Sequence, residues 1–236
     1  MKTLAITVYR QDPYLPLWLT YYSHFFDDLL VLNDNLPTDN SKELLDMRQC
    51  LDFRIEDIRT QDDRPKFIWL TSLTTELLKF YFHNYDVIMF SGCDEFIVPL
   101  NGNLREYMEN MKTDFARCTG YDVIQQKGEL DLKFNEPILP QRTMWAPYPE
   151  FNKPLITKIP LTYEEGWHCL KGEQLGKPLG DPNLALIHLK RADFAIHKKR
   201  YDNFQFKNHE QDFEQYMLHQ NDSKVVPIPP EWRSRF

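Results

Sequence analysis

The sequence predicts an α/β domain: a mostly parallel sheet flanked by helices, with a proline-rich half beside it and a helical segment near its end. Three observations carry that expectation. Over the first hundred residues, apolar β-prone runs alternate with stretches of helical periodicity, strand first, four strands to three helices. The fourth of those runs, Asp86 to Pro99, carries two adjacent carboxylates, Asp94 and Glu95, just after Gly92. Beyond it, Pro137, Pro140, Pro147, Pro149, Pro154, Pro160, Pro178 and Pro182 exclude long helices and central strands, so residues 121 to 182 read as short strands and long loops forming one wall of a cleft.

Thr3 to Tyr9 reads as a first strand, apolar enough to be central. Asp12-Pro13 starts a helix, a capping carboxylate followed by a proline near the first helical position. Leu15, Trp18 or Leu19, Tyr22 and Phe25 recur at helical spacing, and Asp27-Asp28 ends the pattern. Leu29 to Leu32 is a second strand, closed by the turn Asn33-Asp34-Asn35. Thr38 to Ser41 offers caps for a helix through Leu44, Leu45 and Met47, and Phe53 to Ile58 is a third strand. Pro65 opens a long helix through Phe67, Leu70, Leu77, Leu78 and Tyr81, and the Asp86–Pro99 stretch follows. Leu104 to Met111 is a short helix, Asn183 to Leu189 a strand, Phe194 to about Leu218 a terminal helical segment, and Val225 to Phe236 an extended tail. The whole chain of 236 residues reads as a single domain in three stretches: an alternating strand–helix half (1–100), a proline-rich half (101–193) and a helical tail (194–236).

Composition narrows the partners. A net charge of −7 argues against non-specific binding to nucleic acid or anionic membrane. No stretch approaches the ~20 apolar residues of an integral membrane segment. Cys50, Cys93, Cys118 and Cys169 are widely spaced and form no CxxC pair, which reads as reduced thiols of a cytoplasmic protein. Aromatic residues make up 14% of the chain, so many must be buried or line a groove.

Several segments together resemble a known family. They are Val8 to Tyr22, Leu30-Val-Leu-Asn-Asp-Asn35 with Thr38 to Ser41, Asp86 to Pro99, Lys153 to Lys158, Gly166-Trp-His168 and Leu186 to Arg191. In that order and spacing they resemble a family-2-like glycosyltransferase, of the group with a D-x-DEF segment, over roughly residues 3 to 200. The resemblance implies a GT-A fold, a nucleotide-sugar donor (probably a UDP-sugar), a glycan or other hydroxyl acceptor, and Mn²⁺ or Mg²⁺. Two positions depart from the pattern. Gly92 stands where the family has the first aspartate of D-x-D, and Arg10-Gln11 where it has Asn-Glu.

The chemistry needed is stabilisation of a diphosphate that leaves with negative charge. Hard cations take oxygen ligands, and substrate phosphates often complete their shell. Asp94 is the first-choice ligand, and the resemblance places His188 as the second. Glu95 reads as supporting the metal or binding the donor sugar. The resemblance sets Asp34 near the nucleoside, with Tyr9, Arg10 and Gly92 at neighbouring strand ends, while a turn-forming role for Asp34 stays open. Arg64, Lys66 and Lys190 are the cations for the diphosphate. Trp167 and His168 are placed against the donor or acceptor sugar. Glu165 or its neighbour Glu164 is the candidate base, with Glu129 and Asp131 as rivals. Two other readings remain: a catalytically inactive nucleotide-sugar or carbohydrate-binding module, favoured by Gly92, and a nucleotidyltransferase, disfavoured because Tyr9 to Leu15 contains no glycine to form a phosphate loop.

Overall fold

A computed structural model describes residues 1–10, 12–34, 41–58, 67–203 and 225–236. The first four strands are β1 (Thr3–Tyr9), β2 (Asp28–Asn33), β3 (Arg54–Asp57) and β4 (Val87–Phe90), joined through α1 (Leu15–Ser23), α2 (Ser41–Arg48) and α3 (Phe67–Tyr81). They pair in parallel in the order β3-β2-β1-β4. Alternation along the strands splits their apolar side chains between two faces. Ala5, Leu29, Val31, Val87 and Met89 join α1 and Leu44 of α2 in one cluster, whereas Leu4, Ile6, Leu30, Leu32, Ile88 and Phe90 join Leu78 and Tyr81 of α3 in another.

The expectation of a mostly parallel sheet holds for these four strands and fails beyond them. Two-residue strands β9 (Ile156–Thr157) and β6 (Phe115–Ala116) extend the first sheet with antiparallel pairings. A second sheet runs β11 (Val226–Pro227), β8 (Met144–Pro147), β7 (Cys118–Ile124), β10 (Asp181–His188) and β5 (Glu95–Pro99), and only β7 and β10 pair in parallel. The Asp86–Pro99 stretch is therefore two strands in two sheets. Val87 to Phe90 ends beside β1, and Ser91 to Asp94 carries the chain across into β5. Its two apolar runs belong to different sheets because a tight link, and not a continuous strand, holds the carboxylates.

Helix α1 fixes that link. Its N-cap is Tyr14, whose side chain makes no cap bond; Asp12 sits two residues earlier and accepts from the Tyr14 amide at 3.0 Å. The aromatic residues of α1 use both their apolar bodies and their polar tips. Trp18 is fully buried and its indole donates to Ser91 Oγ at 2.9 Å. Tyr22 donates to Glu95 O at 3.1 Å and accepts from the Ile97 amide at 2.9 Å, Tyr21 donates to Ile97 O at 2.8 Å, and Tyr14 donates to Leu189 O at 3.0 Å. Truncating a residue like Trp18 to alanine costs about 3–5 kcal/mol of packing alone.

The other expected helices form as α4 (Leu104–Asn110), closed by an Asn103/Glu106 capping box, and α5 (Phe194–Asn203), described to residue 203. The last segment is not the extended tail its composition suggested. Val226–Pro227 pairs with β8, and α6 (Pro230–Arg233) sets Trp232 against Trp145, with ring centroids 6.0 Å apart. Phe236 then stacks on Phe96 at 4.6 Å. These apolar rings give the tail a surface to bury, which outweighs its proline content.

Candidate active site

The link between the sheets brings Asp94, Glu95 and His188 together, as expected, and surrounds them with charges that the sequence did not single out. His188 ends β10 and is the register partner of both Glu95 on β5 and Asp122 on β7. Its Nδ1 lies 3.1 Å from Asp122 Oδ1 and its Nε2 lies 3.4 Å from Asp94 Oδ2. Arg191 Nε holds the other Asp122 oxygen at 3.2 Å. Glu95 is gripped by Lys153 Nζ and by the Gly92 amide, which donates to its Oε2 at 2.9 Å. The Leu189 amide donates to the Asp94 carbonyl at 2.8 Å, tying the end of β10 to the link. Asp94, Glu95, Asp122, Lys153 and His188 are all buried.

Alternating signs make this burial tolerable. Burial alone would lower the His188 imidazole, but Asp94 and Asp122 outweigh it and raise it to about 9. His188 is therefore an imidazolium at neutral pH. Burial alone would raise Glu95; the Lys153 ammonium overrides it and holds the carboxyl below its ordinary range. Glu95 is thus a fixed carboxylate saturated by Lys153 and a backbone amide, an arrangement that suits a brace better than a proton carrier. Gly92 matters for its size. A Cβ there would stand 3.0 Å from Asp94 Oδ1 and 3.6 Å from the Glu95 carboxyl carbon.

The donor-side residues lie at the ends of β1 and β2. Arg10 Nη1 is 3.5 Å from Asp34 Oδ2, and the Asp34 amide donates to Tyr9 O at 2.9 Å. The Tyr9 side chain is buried in the core, so this residue offers the site its backbone. Cys93 joins this edge to the link, its thiol donating to Val8 O at 3.2 Å beside Thr7. Arg64 and Lys66 lie outside the described residues. Lys190 is exposed on the turn after β10.

The acceptor-side residues divide. Trp167 packs its ring on Phe90 at 4.8 Å, among the side chains that cover α3. His168 stacks on Phe151 at 5.5 Å, and Phe151 meets His188 edge-on at 4.3 Å. Glu165 is exposed in the one-turn helix Glu165–Trp167. Glu164 accepts from the Gly172 amide at 3.0 Å, Glu129 braces Thr143 and Gln126, and Asp131 is exposed.

The residues missed by sequence reasoning are Asp122, Lys153 and, in this role, Arg191. Asp122 is a lone carboxylate inside the β-prone run Cys118–Ile124, and that interruption is the signal that marks it. For a divalent metal, Asp94 Oδ2 and His188 Nε2 are the two donors that face each other. Among the described residues, no three His, Cys, Asp or Glu side chains form a ligand group. A cation there would draw the rest of its shell from phosphate and water.

No protein-family model matches the chain, and no curated protein matches it. Among solved structures, a 4-diphosphocytidyl-2C-methyl-D-erythritol synthase is similar over 67% of this chain and 75% of its own, with 10% identity and a TM-score of 0.37. A cytidylyltransferase from Leptospira borgpetersenii serovar Hardjo-bovis is similar over 55% of this chain and 56% of its own, with 13% identity and a TM-score of 0.29. Neither is named as a glycosyltransferase, and at this depth of likeness neither bears on activity.

Proposed function

We propose that this chain is a transferase acting on a nucleotide-activated substrate, and specifically a glycosyltransferase that takes a nucleotide sugar. The observation that carries the reading is the buried Asp94–His188–Asp122 chain, with Glu95 and Lys153 beside it, where β4 crosses out of the parallel sheet. Ligands of open α/β sheets bind beyond the carboxyl ends of the strands. At that edge Asp34 and Arg10 are the donor-binding pair. Replacing Asp34 with alanine should then weaken nucleotide binding and leave the domain folded.

In the transfer, the bond from the sugar C1 to the diphosphate oxygen breaks, and a bond from C1 to the acceptor oxygen forms. The electron pair leaves with the nucleoside diphosphate, and the acceptor proton passes to a base. Asp94 and His188 are the side chains that would hold a Mn²⁺ or Mg²⁺ ion, which supplies positive charge to the leaving diphosphate. Asp122 and Arg191 keep the His188 ring in place. Lys153 offsets the charge of Glu95 beside Asp94.

The test is release of nucleoside diphosphate from a panel of UDP- and GDP-sugars with Mn²⁺, wild type beside Asp94→Asn. That change keeps size and removes charge. Turnover should fall at least ~100-fold, the scale of losing one key electrostatic contact, while nucleotide affinity by calorimetry falls much less. Unchanged turnover in Asp94→Asn refutes the assignment. Nucleotidyl transfer is the second reading, since strand-end carboxylates serve phosphoryl chemistry as well. Incubation with nucleoside triphosphates and sugar phosphates, read as pyrophosphate release, is its arm of the assay. Nucleotide-sugar binding without product in either arm would identify a binding module.

A further inference from the structure

We propose that His168 is the general base that takes the proton of the acceptor hydroxyl. This rests on the transferase reading above. The carboxylates first considered for that task are committed elsewhere or stand exposed, as their contacts show. His168 is built differently.

Its Nδ1 lies 2.7 Å from the carbonyl oxygen of Glu150. A carbonyl only accepts, so Nδ1 carries the hydrogen, and in the neutral ring Nε2 presents its lone pair. Among the described residues no hydrogen-bond partner meets that Nε2. Burial lowers the imidazole below its ordinary value, and the Lys153 ammonium lowers it further, against the opposing pull of the Glu150 carbonyl and Glu95. The charges it feels are Lys153 beyond the Phe151 turn, Glu95 on β5 and His188 on β10. Glu164 and Glu165 on its own segment face solvent. His168 is thus a neutral ring, and it shares a neighbour with His188. They lie on one phenyl ring, that of Phe151.

The backbone that aims His168 is strained. Gly166 and Trp167 both adopt left-handed conformations, with φ of 78° and 61°. That region suits glycine and is uncommon for a bulky residue. Such strain persists where the surroundings impose it, and it clusters at functional sites. Here the Trp167 ring is held on Phe90, and the Gly166 amide donates to Thr71 Oγ1 at 3.2 Å. A Cβ on Gly166 would come within 3.0 Å of His168 Cδ2. Two bonds from Arg117 to Glu173, at 2.8 and 2.7 Å, clamp the far side of the same loop.

The step balances without a further reactant. The acceptor oxygen attacks C1 as its proton moves to His168 Nε2, and the C1–O bond electrons leave with the diphosphate. The ring becomes an imidazolium that still donates from Nδ1 to the Glu150 carbonyl.

The test uses the full chain with UDP-glucose, UDP-galactose, UDP-N-acetylglucosamine and GDP-mannose, Mn²⁺ present and water as acceptor. His168→Ala should lower nucleoside diphosphate release at least ~100-fold, within the range for a general base, with UDP affinity by calorimetry within twofold of wild type. Imidazole in the buffer should restore part of the rate. The acidic limb of the wild-type pH–kcat profile should vanish in the variant. His168→Gln, which keeps a polar side chain for Glu150, should lose the rate equally. If wild type releases no nucleoside diphosphate from any donor, the transferase reading and this one fall together. If wild type turns over and either variant matches it, the base assignment alone falls. ¹⁵N-histidine NMR of wild type gives a readout free of folding and activity: His168 should be a neutral Nδ1–H ring at pH 7, and a protonated ring there overturns the proposal.

Discussion

Replacing Lys153 with methionine keeps the aliphatic body and removes the charge that holds Glu95. Both side chains are almost wholly buried, at 7% and 6% exposure. Breaking a buried ion pair from one side leaves the other charge without a partner, which costs about 3–5 kcal/mol. One amide, from Gly92, still reaches Glu95, so the lower half of that range is expected at pH 7.5. With a urea m-value of about 3 kcal/mol/M, a loss of about 3–4 kcal/mol moves the midpoint down by about 1.0–1.3 M. The pH dependence gives the sharper check. In wild type the Glu95 carboxyl is held below its ordinary range, so its stabilisation is present above about pH 4.5 and fades as pH falls. Without Lys153 the sign reverses: burial raises the carboxyl, protonation relieves it, and the variant's deficit should shrink between pH 7.5 and pH 5. Lys153→Met with Glu95→Gln should recover most of the loss at pH 7.5, as double-mutant cycles do for a coupled pair. Urea titrations followed by tryptophan fluorescence at both pH values measure all of this. A deficit below about 1 kcal/mol at pH 7.5, or one that grows toward pH 5, would refute the picture of Glu95 as a clamped brace.

Gly92→Asp supplies the aspartate of the D-x-D pattern that the sequence only resembles, yet its Cβ would stand 3.0 Å from Asp94 Oδ1, so the variant should be destabilised and bind Mn²⁺ no more tightly than wild type, as calorimetry with UDP present would show. His188 is raised to about 9 by Asp94 and Asp122 against the downward pull of burial, so its stabilisation should be full below about pH 6.5 and lost as pH rises through about 9. Urea midpoints of wild type should fall over that window, and those of Asp122→Asn should fall less. Because a ligating histidine must be neutral, Mn²⁺ affinity in the presence of UDP should rise from pH 6.5 to 8.5 in the same protein. Arg117→Ala unclamps Glu173 and should speed hydrogen exchange at the Leu170 and Lys171 amides while leaving β1 and β4 unchanged.

The parallel half of the fold was legible because its signals are local. Thr3 to Tyr9 is a continuous apolar run and emerges as β1 with those bounds, and Leu15, Trp18, Leu19 and Tyr22 fall on the buried side of α1. The division of Asp86 to Pro99 between two sheets was not legible, since the runs on either side of Gly92 are equally apolar and nothing local says which neighbours each will find. Asp94, Glu95 and His188 came to attention as one group because, beside the resemblance that set His188 with Asp94, carboxylates and a histidine at strand ends stand out from the residues around them. Their partners did not. Lys153 reaches Glu95 across 58 positions and Asp122 reaches His188 across 66, and a single sequence carries no signal for such pairings. The state of His168 was equally hidden, because it depends on a carbonyl 18 residues away.

The four-residue link Ser91–Asp94 also bears on how the chain reaches this structure. Asp94 and Glu95 emerge at the end of the first hundred residues, but two cations set against them, Lys153 and His188, come much later in the chain. A chain with only its early strands assembled would hold two like charges side by side at a strand end, without Lys153 or His188 to offset them. The loops that must close to relieve them are long, and closing long loops is slow. The early strands can therefore pair and collapse on α1 before Lys153 and His188 reach the carboxylates, and the docking of β10 onto β5 brings His188 to the charge cluster. A nascent or truncated chain that stops before Lys153 should keep the Glu95 carboxyl wet and no longer held below its ordinary range. The site then becomes dry only when these distant segments dock, and its hydration would report their undocking.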